Sequence, residues 1–181
     1  MAECTDRRCT PNLLIHRLGN VSELRVEEES ISRLDEHASI PSAFVVTRVL
    51  DVSVSNSGLD GILLRESVLD APWIKDYDAL KGEGPTRWPK HFDVSNWGLL
   101  AAYRDNERVG GAVIAYKTAN LHMLEGSAHV AVLWGLRVQP AERSRGVGSA
   151  LFAATEDWCR QRGCREIKVE TQNINVPACH F

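Results

Sequence analysis

Long apolar runs are missing from this 181-residue chain. No stretch approaches the ~20 residues of a membrane span. Met1 to Asn20 also lacks the hydrophobic centre of a secretory signal, so the cytoplasm is the expected location and no membrane partner is expected. Positive charge is not in excess: 24 Asp+Glu against 21 Lys+Arg leave a net charge of -3, which argues against a general nucleic-acid binder. None of the five cysteines, Cys4, Cys9, Cys159, Cys164 and Cys179, lies in a paired C-x-x-C arrangement. Metal and disulfide readings are therefore weak, and no metal is expected. Cys159 and Cys164 read as ordinary buried or half-buried thiols, and Cys179-His180 is no nucleophile and base, because adjacent residues seldom face each other. Internal repeats and low-complexity segments are absent too. An apolar fraction of 44% is enough for a core, and the length fits one domain.

The most informative stretch runs from Leu136 to Leu151. Before it, Val130, Val132 and Trp134 alternate with smaller residues as in a strand, and Pro140 removes a backbone donor where that strand should stop. After it, Val147, Leu151, Ala154 and Trp158 recur at helical spacing, with Gly163 where a C-terminal cap belongs. Between them lies Arg143-Ser144-Arg145-Gly146-Val147-Gly148. A helix that starts in such a turn directs unpaired N–H groups and a positive dipole end outward, and glycine lets a ligand approach the backbone. That chemistry suits a phosphate or pyrophosphate.

Elsewhere the pattern is less even. Met1 to Pro11 is polar and should fray, and residues 12–37 carry a weak helical pattern whose acidic run Glu27-Glu28-Glu29 reads as a solvated face. Phe44 to Val54 is a strand, Asn56-Ser57-Gly58 turns it, and Ile62 to Arg65 is its short partner. Ala71-Pro72-Trp73 opens a short helix through Ile74, Tyr77 and Leu80. Gly82 to Asp93 is a long punctuated loop, suited to a lid. Trp97–Tyr103 and Val109–Tyr116 form a hairpin around a polar turn, which pairs with 128–138 in a central antiparallel sheet. Arg165 to Thr171 follows the central helix as a strand parallel to the one before it.

Spacing separates the families that use such a turn. A nucleotide P-loop needs Lys then Ser or Thr after its last glycine, whereas Ser149-Ala150 follow Gly148 here. A dinucleotide fold needs a third glycine, and Gly146 to Leu151 lacks it. Arg143-x-x-Gly146-x-Gly148, preceded by Val138-x-Pro140, resembles the acetyl-CoA signature of the GNAT family of N-acetyltransferases. Glu170 to Phe181, with Asn175-Val176-Pro177-Ala178, further resembles streptothricin acetyltransferase-like members, and the likeness is dense after Trp97 and thin before it. The resemblance implies an α/β (α+β) fold, a mixed and mostly antiparallel central sheet flanked by helices. On that reading residues 1–43 are an N-terminal extension, partly disordered or helical, and 44–181 are the acetyltransferase domain.

The implied reaction is acetyl transfer from acetyl-CoA to a primary amine of a small cationic molecule, such as a streptothricin-like antibiotic. The cofactor-binding set is Leu136, Arg137, Val138, Arg143, Ser144, Arg145, Gly146, Val147, Gly148, Ser149 and Asn175, with the pyrophosphate on the turn and the pantetheine arm beside Leu136 and Val138. The Leu136 N–H is the expected oxyanion donor. An alkylamine has a pKa of about 10, so a base or a desolvating pocket must help. Glu170 is the favoured base, with Asp93, Glu125 and His129 as alternatives, and Asp76, Asp78, Trp88, Asp93 and Glu125 are the expected substrate-side residues. Comparison with streptothricin-type members leads one to expect an acid where Gly135 stands.

The family would continue past Phe181 with a thiolate-protonating tyrosine and two more strands, so the expectation is a C-terminally truncated domain whose last strand is an open edge. A second copy, as in a homodimer, would cover that edge. Two other readings stay open: a protein or peptide N-acetyltransferase, and a catalytically impaired acyl-CoA-binding or interaction module.

Overall fold

The computed structural model of the protein describes residues 23–54, 61–80 and 82–181. Strand β1 (Leu24–Glu29) leads through a 3-10 turn into α1 (Leu34–Ala38). A long hairpin follows, β2 (Phe44–Val54) and β3 (Ile62–Lys75), and then the short helix α2 (Trp88–His91). β4 (Gly98–Arg104), β5 (Glu107–Ala115), β6 (Val130–Val138), α3 (Val147–Gln161), β7 (Glu166–Val169) and α4 (Val176–Cys179) complete the order.

The main sheet runs β1-β4-β5-β6-β7 and is antiparallel except where β7 lies parallel to β6. Asp105 and Asn106 carry φ of 50° and 65°, so two left-handed residues with short polar side chains close the β4–β5 hairpin. The crossover from β6 to β7 is α3. Its stripe of Val147, Leu151, Thr155 and Trp158 is buried against Leu100, Ala102, Ala112 and Ile114 of the sheet. Replacing the fully buried Leu151 by Ala should cost about 2–5 kcal/mol. Gly163, at φ 75°, ends the helix as expected, and the Cys164 N–H reaches back to the Cys159 carbonyl at 3.0 Å. The opposite face of the sheet carries α1, α2 and the 122–124 turn over a second cluster of Leu34, Trp97, Leu99, Val113, Leu124 and Val132.

Several local expectations change. The weak helical pattern of 12–37 contains a strand, because Leu24 and Val26 turn inward while β1 pairs with β4 across Leu24↔Arg104 to Glu29↔Leu99. The main sheet therefore begins before the boundary expected at residue 44. Of the acids of β1, Glu27 and Glu28 are exposed as expected, but the Glu29 carboxylate is buried and accepts from Arg33 (2.5 Å), Tyr103 Oη (2.6 Å) and Arg108. Glu28 holds Trp158 Nε1 (2.7 Å) and Arg162 (2.9 Å). The helix expected from Ala71 is instead the end of β3, where Pro72 falls in the irregular step between the pairs Arg48↔Val68 and Val46↔Trp73 and so removes no ladder bond. The strand expected over Arg165 to Thr171 pairs only through Glu166–Val169, at the edge of the sheet. Met1 to Pro11 and the turn at Asn56-Ser57-Gly58 lie outside the described residues.

Candidate functional site

The turn after β6 has the geometry of an anion cradle. Pro140 to Glu142 form a 3-10 turn, Ser144 takes φ 59°, and Gly146 caps α3 at φ 82° without a side-chain hydrogen bond. The first helical bond is from the Ala150 N–H to the Gly146 carbonyl at 3.0 Å. The N–H groups of Val147, Gly148 and Ser149 therefore point forward without a partner inside the helix. A cap side chain would have occupied that space.

The two arginines of the turn are bound within the fold. Arg143 donates to the carbonyls of Val138 (3.2 Å) and Ala43 (3.0 Å), and Arg145 donates to Glu142 (2.6 Å), whose other oxygen accepts from Arg104 (3.0 Å). They brace the turn while staying at the surface, with the Arg145 side chain 56% exposed.

The cradle adjoins an open strand edge. Gln139 N–H donates to the Val109 carbonyl at 2.9 Å, which sets the alternation of the β5–β6 ladder: residues 135 and 137 bond toward β5, while Leu136 and Val138 direct N–H and C=O away from it. On that other side the ladder to β7 stops at Leu133↔Val169. Register also slips between Val113↔Gly135 and Ile114↔Leu133, so Trp134 is an extra residue and the strand bends there. A Cβ placed on Gly148 would stand 4.0 Å from Leu136 Cδ2 and 3.4 Å from the Phe181 ring, so the cradle and the open edge share one wall. A diphosphate with an extended amide-bearing arm fits that donor set: N–H groups at the turn, then the outward-facing N–H and C=O of Leu136 and N–H of Val138 along β6, the Val138 carbonyl being held by Arg143.

On the opposite face, Gly135 is covered by two rings. A Cβ there would meet Trp88 at 3.2 Å and His37 Nε2 at 3.8 Å. Trp88, Phe92, Trp97 and Trp134 pack ring to ring with centroids 5.5–6.3 Å apart. Beside them Arg137 forms a two-bond pair with Asp78, Nη2 to Oδ1 at 2.6 Å and Nη1 to Oδ2 at 2.9 Å, and also donates to the Ile40 carbonyl at 2.8 Å. Burial opposes the charge on Asp78, but the Arg137 and Ser42 hydrogen bonds outweigh it and hold the carboxyl below its usual range. Burial first, then the Arg137 and Arg108 charges, push His37 down to about 3.

The remaining candidates spread out. Arg137 shares β6 with Leu136 and Val138, yet its guanidinium lies on the Asp78 side. Asp76 Oδ1 accepts from Ser42 Oγ (3.1 Å) and the Asp78 N–H (3.0 Å), next to that pair. Asp93 caps the Ser95 N–H (3.0 Å), at the end of the aromatic segment. Glu125 sits in the 122–125 turn and pairs with Lys168 at 2.6 Å, while His129 Nδ1 is 3.2 Å from the Gly163 carbonyl. Glu170 is exposed, one residue past β7. Asn175 is the N-cap of α4 but makes no side-chain cap bond. His37 was missed, because one histidine in a weak helical pattern carries no signal of its own. The Asp78–Arg137 pair was missed as a pair, since 59 residues separate its members.

Comparison with known proteins gives this arrangement a context. Residues 66–181 match the acetyltransferase (GNAT) family. The chain is 26% identical over 154 residues to streptothricin acetyltransferase of Streptomyces lavendulae, covering 85% of this chain and 72% of that protein. It is 39% identical over 77 residues to an aminoglycoside N(6')-acetyltransferase of Klebsiella aerogenes, 42% of this chain and about half (49%) of that protein. A Bacillus anthracis protein described as a streptothricin acetyltransferase, solved in complex with acetyl coenzyme A, superposes with a TM-score of 0.65 at 25% identity, covering 88% of this chain and 81% of that one.

Proposed function

Because the chain belongs to the acetyltransferase (GNAT) family and is an N-acetyltransferase, we propose that it acetylates a primary amine of a small cationic antibiotic-like molecule of the streptothricin or aminoglycoside kind. The observation that carries this reading is the continuity of the α3 cradle with the open edge of β6, next to a face rich in aromatic and acidic side chains.

Acetyl-CoA supplies an activated acetyl thioester when bound. In this reading the N–H groups of Ser144 to Ser149 hold its pyrophosphate, and Gly146 and Gly148 leave the approach clear. Leu136 holds the amide-bearing arm through its outward-facing N–H and C=O and Val138 through its N–H, its carbonyl being taken by Arg143, and the Leu136 N–H polarises the acyl carbonyl, as an oxyanion donor does. On the far side of β6 the Asp76 carboxylate attracts a polycation, Asp78 being matched by Arg137, while the aromatic cluster strips water from the bound amine, and that desolvation favours the neutral, attacking form.

The test is turnover with acetyl-CoA and streptothricin F or kanamycin, followed by thiol release and product mass. Release of free thiol matched by one added acetyl group on the amine is expected. Acetyl-CoA binding without release for any amine would replace this reading with that of a binding module, and acetylation of peptides alone would move the acceptor class.

A further inference from the structure

His37 is wholly buried, and among the described residues neither ring nitrogen has a hydrogen-bond partner. A neutral imidazole carries one donor and one lone pair, and leaving such groups unmatched in an interior costs their full desolvation. Packing gives no reason for that cost, since an apolar side chain fills the same volume without it.

The surroundings give the ring a direction. Its Nδ1 lies against β5, 2.6 Å from where a Cβ on Gly111 would stand, so only glycine admits it. Its Nε2 faces Gly135 on β6 from 3.8 Å, measured to the same kind of position. Gly135 adjoins the bulge at Trp134 and precedes Leu136, whose N–H and C=O face the open edge. The imidazole therefore stands over the face of the backbone segment whose edge forms the acyl slot. Beside it over Gly135 packs Trp88, with ring centroids 6.3 Å apart, carried on a segment entered through Gly82 and Gly84 at φ 87° and 98°. The charged groups facing His37 are Arg137, Arg108 and Asp78, and the two guanidinium groups disfavour a second proton on the ring.

We propose that His37 Nε2 accepts a hydrogen bond from the acceptor amine once Trp88 lifts off Gly135, so that the imidazole orients the nitrogen lone pair toward the acyl slot. The inference rests on the N-acetyltransferase reading above and adds an acceptor-binding residue to it. A neutral ring suits this role, because it keeps an unpaired lone pair and does not repel a cationic substrate.

The test compares wild type with His37→Phe, His37→Leu and His37→Gln, using acetyl-CoA and streptothricin F as probes. Acetyl-CoA affinity by calorimetry should be unchanged in all three. The Phe and Leu variants should melt at or above the wild-type temperature, yet lose roughly tenfold to a hundredfold in kcat/KM for the amine. His37→Gln, which restores an acceptor atom near Nε2, should stay within about fivefold of wild type. Wild-type kcat/KM in both apolar variants, or equal losses in the Gln and Phe variants, overturns the proposal. A wild-type protein that binds acetyl-CoA but acetylates neither streptothricin F nor kanamycin overturns the parent reading instead, and that result is visible without any variant.

Discussion

Arg137 and Asp78 meet through two hydrogen bonds of 2.6 and 2.9 Å, and this pair ties β6 to the segment after β3. Arg137 is only 9% exposed. It also donates to the Ile40 carbonyl, so one guanidinium joins three segments beside Gly135.

Removing one partner should therefore be costly. Breaking a buried pair costs about 3–5 kcal/mol, and the partial exposure of Asp78 lowers the expectation to about 2–3 kcal/mol for Asp78→Ala. Urea unfolding of wild type and variant measures it. Arg137→Ala should cost at least as much, since two carbonyl contacts are lost with the ion pair.

Stability should fall with acid in a way that His37 controls. The folded value of this group is lowered to about 3 from 6.5, so between those pH values the unfolded chain binds the proton and the folded chain does not. Stability from this source is complete above pH 6.5 and is lost as pH drops, by up to about 1.4 kcal/mol per pH unit. The stability difference between His37→Phe and wild type should therefore shift in favour of the variant from pH 7 to pH 4. Thermal or urea midpoints across that range check the sign.

Gly148→Val should separate coenzyme binding from folding. The new side chain meets the Phe181 ring and Leu136, at the wall shared by cradle and slot. Acetyl-CoA affinity should fall by at least about tenfold, while the cost in stability stays near 1–3 kcal/mol, as for other overpacking changes. Calorimetry and melting on the same sample compare the two effects.

Glu29→Gln should loosen the β1 edge. The carboxylate is 4% exposed and joins Arg33, Arg108 and Tyr103, so the neutral amide leaves cationic donors with a poorer acceptor. A loss of about 1–3 kcal/mol is expected, with faster amide exchange in β1 than in β5. The reading of these acids as a solvated face would predict no loss.

Features carried by local pattern were legible in the sequence: the β4–β5 hairpin, the β6–α3–β7 crossover, the glycine cap at Gly163 and the anion turn at 143–148 all follow from alternation, helical spacing or glycine position. Features carried by distant pairing were not. β1 was hidden because Glu29 is matched by Arg108 of β5 and Glu28 by Arg162, just past α3, which a run of three glutamates does not announce. β3 was shortened because Pro72 reads as a helix start until its partner strand shows an irregular step there. In the proposed site, the coenzyme half sits on contiguous chain. The acceptor half draws on His37, Asp78, Trp88 and Gly135, from four segments, and no spacing rule joins them. The two arginines of the turn, suited by type to a pyrophosphate, also bond to nearby carbonyls and to Glu142, partners that the spacing does not announce.

Amide exchange with and without acetyl-CoA tests the location of the coenzyme site most directly. The account predicts added protection at Ser144 to Ser149 and at Leu136 and Val138, with little change in β1 or the β2–β3 hairpin. Binding of acetyl-CoA that leaves those amides as they are and protects another part of the chain would contradict it.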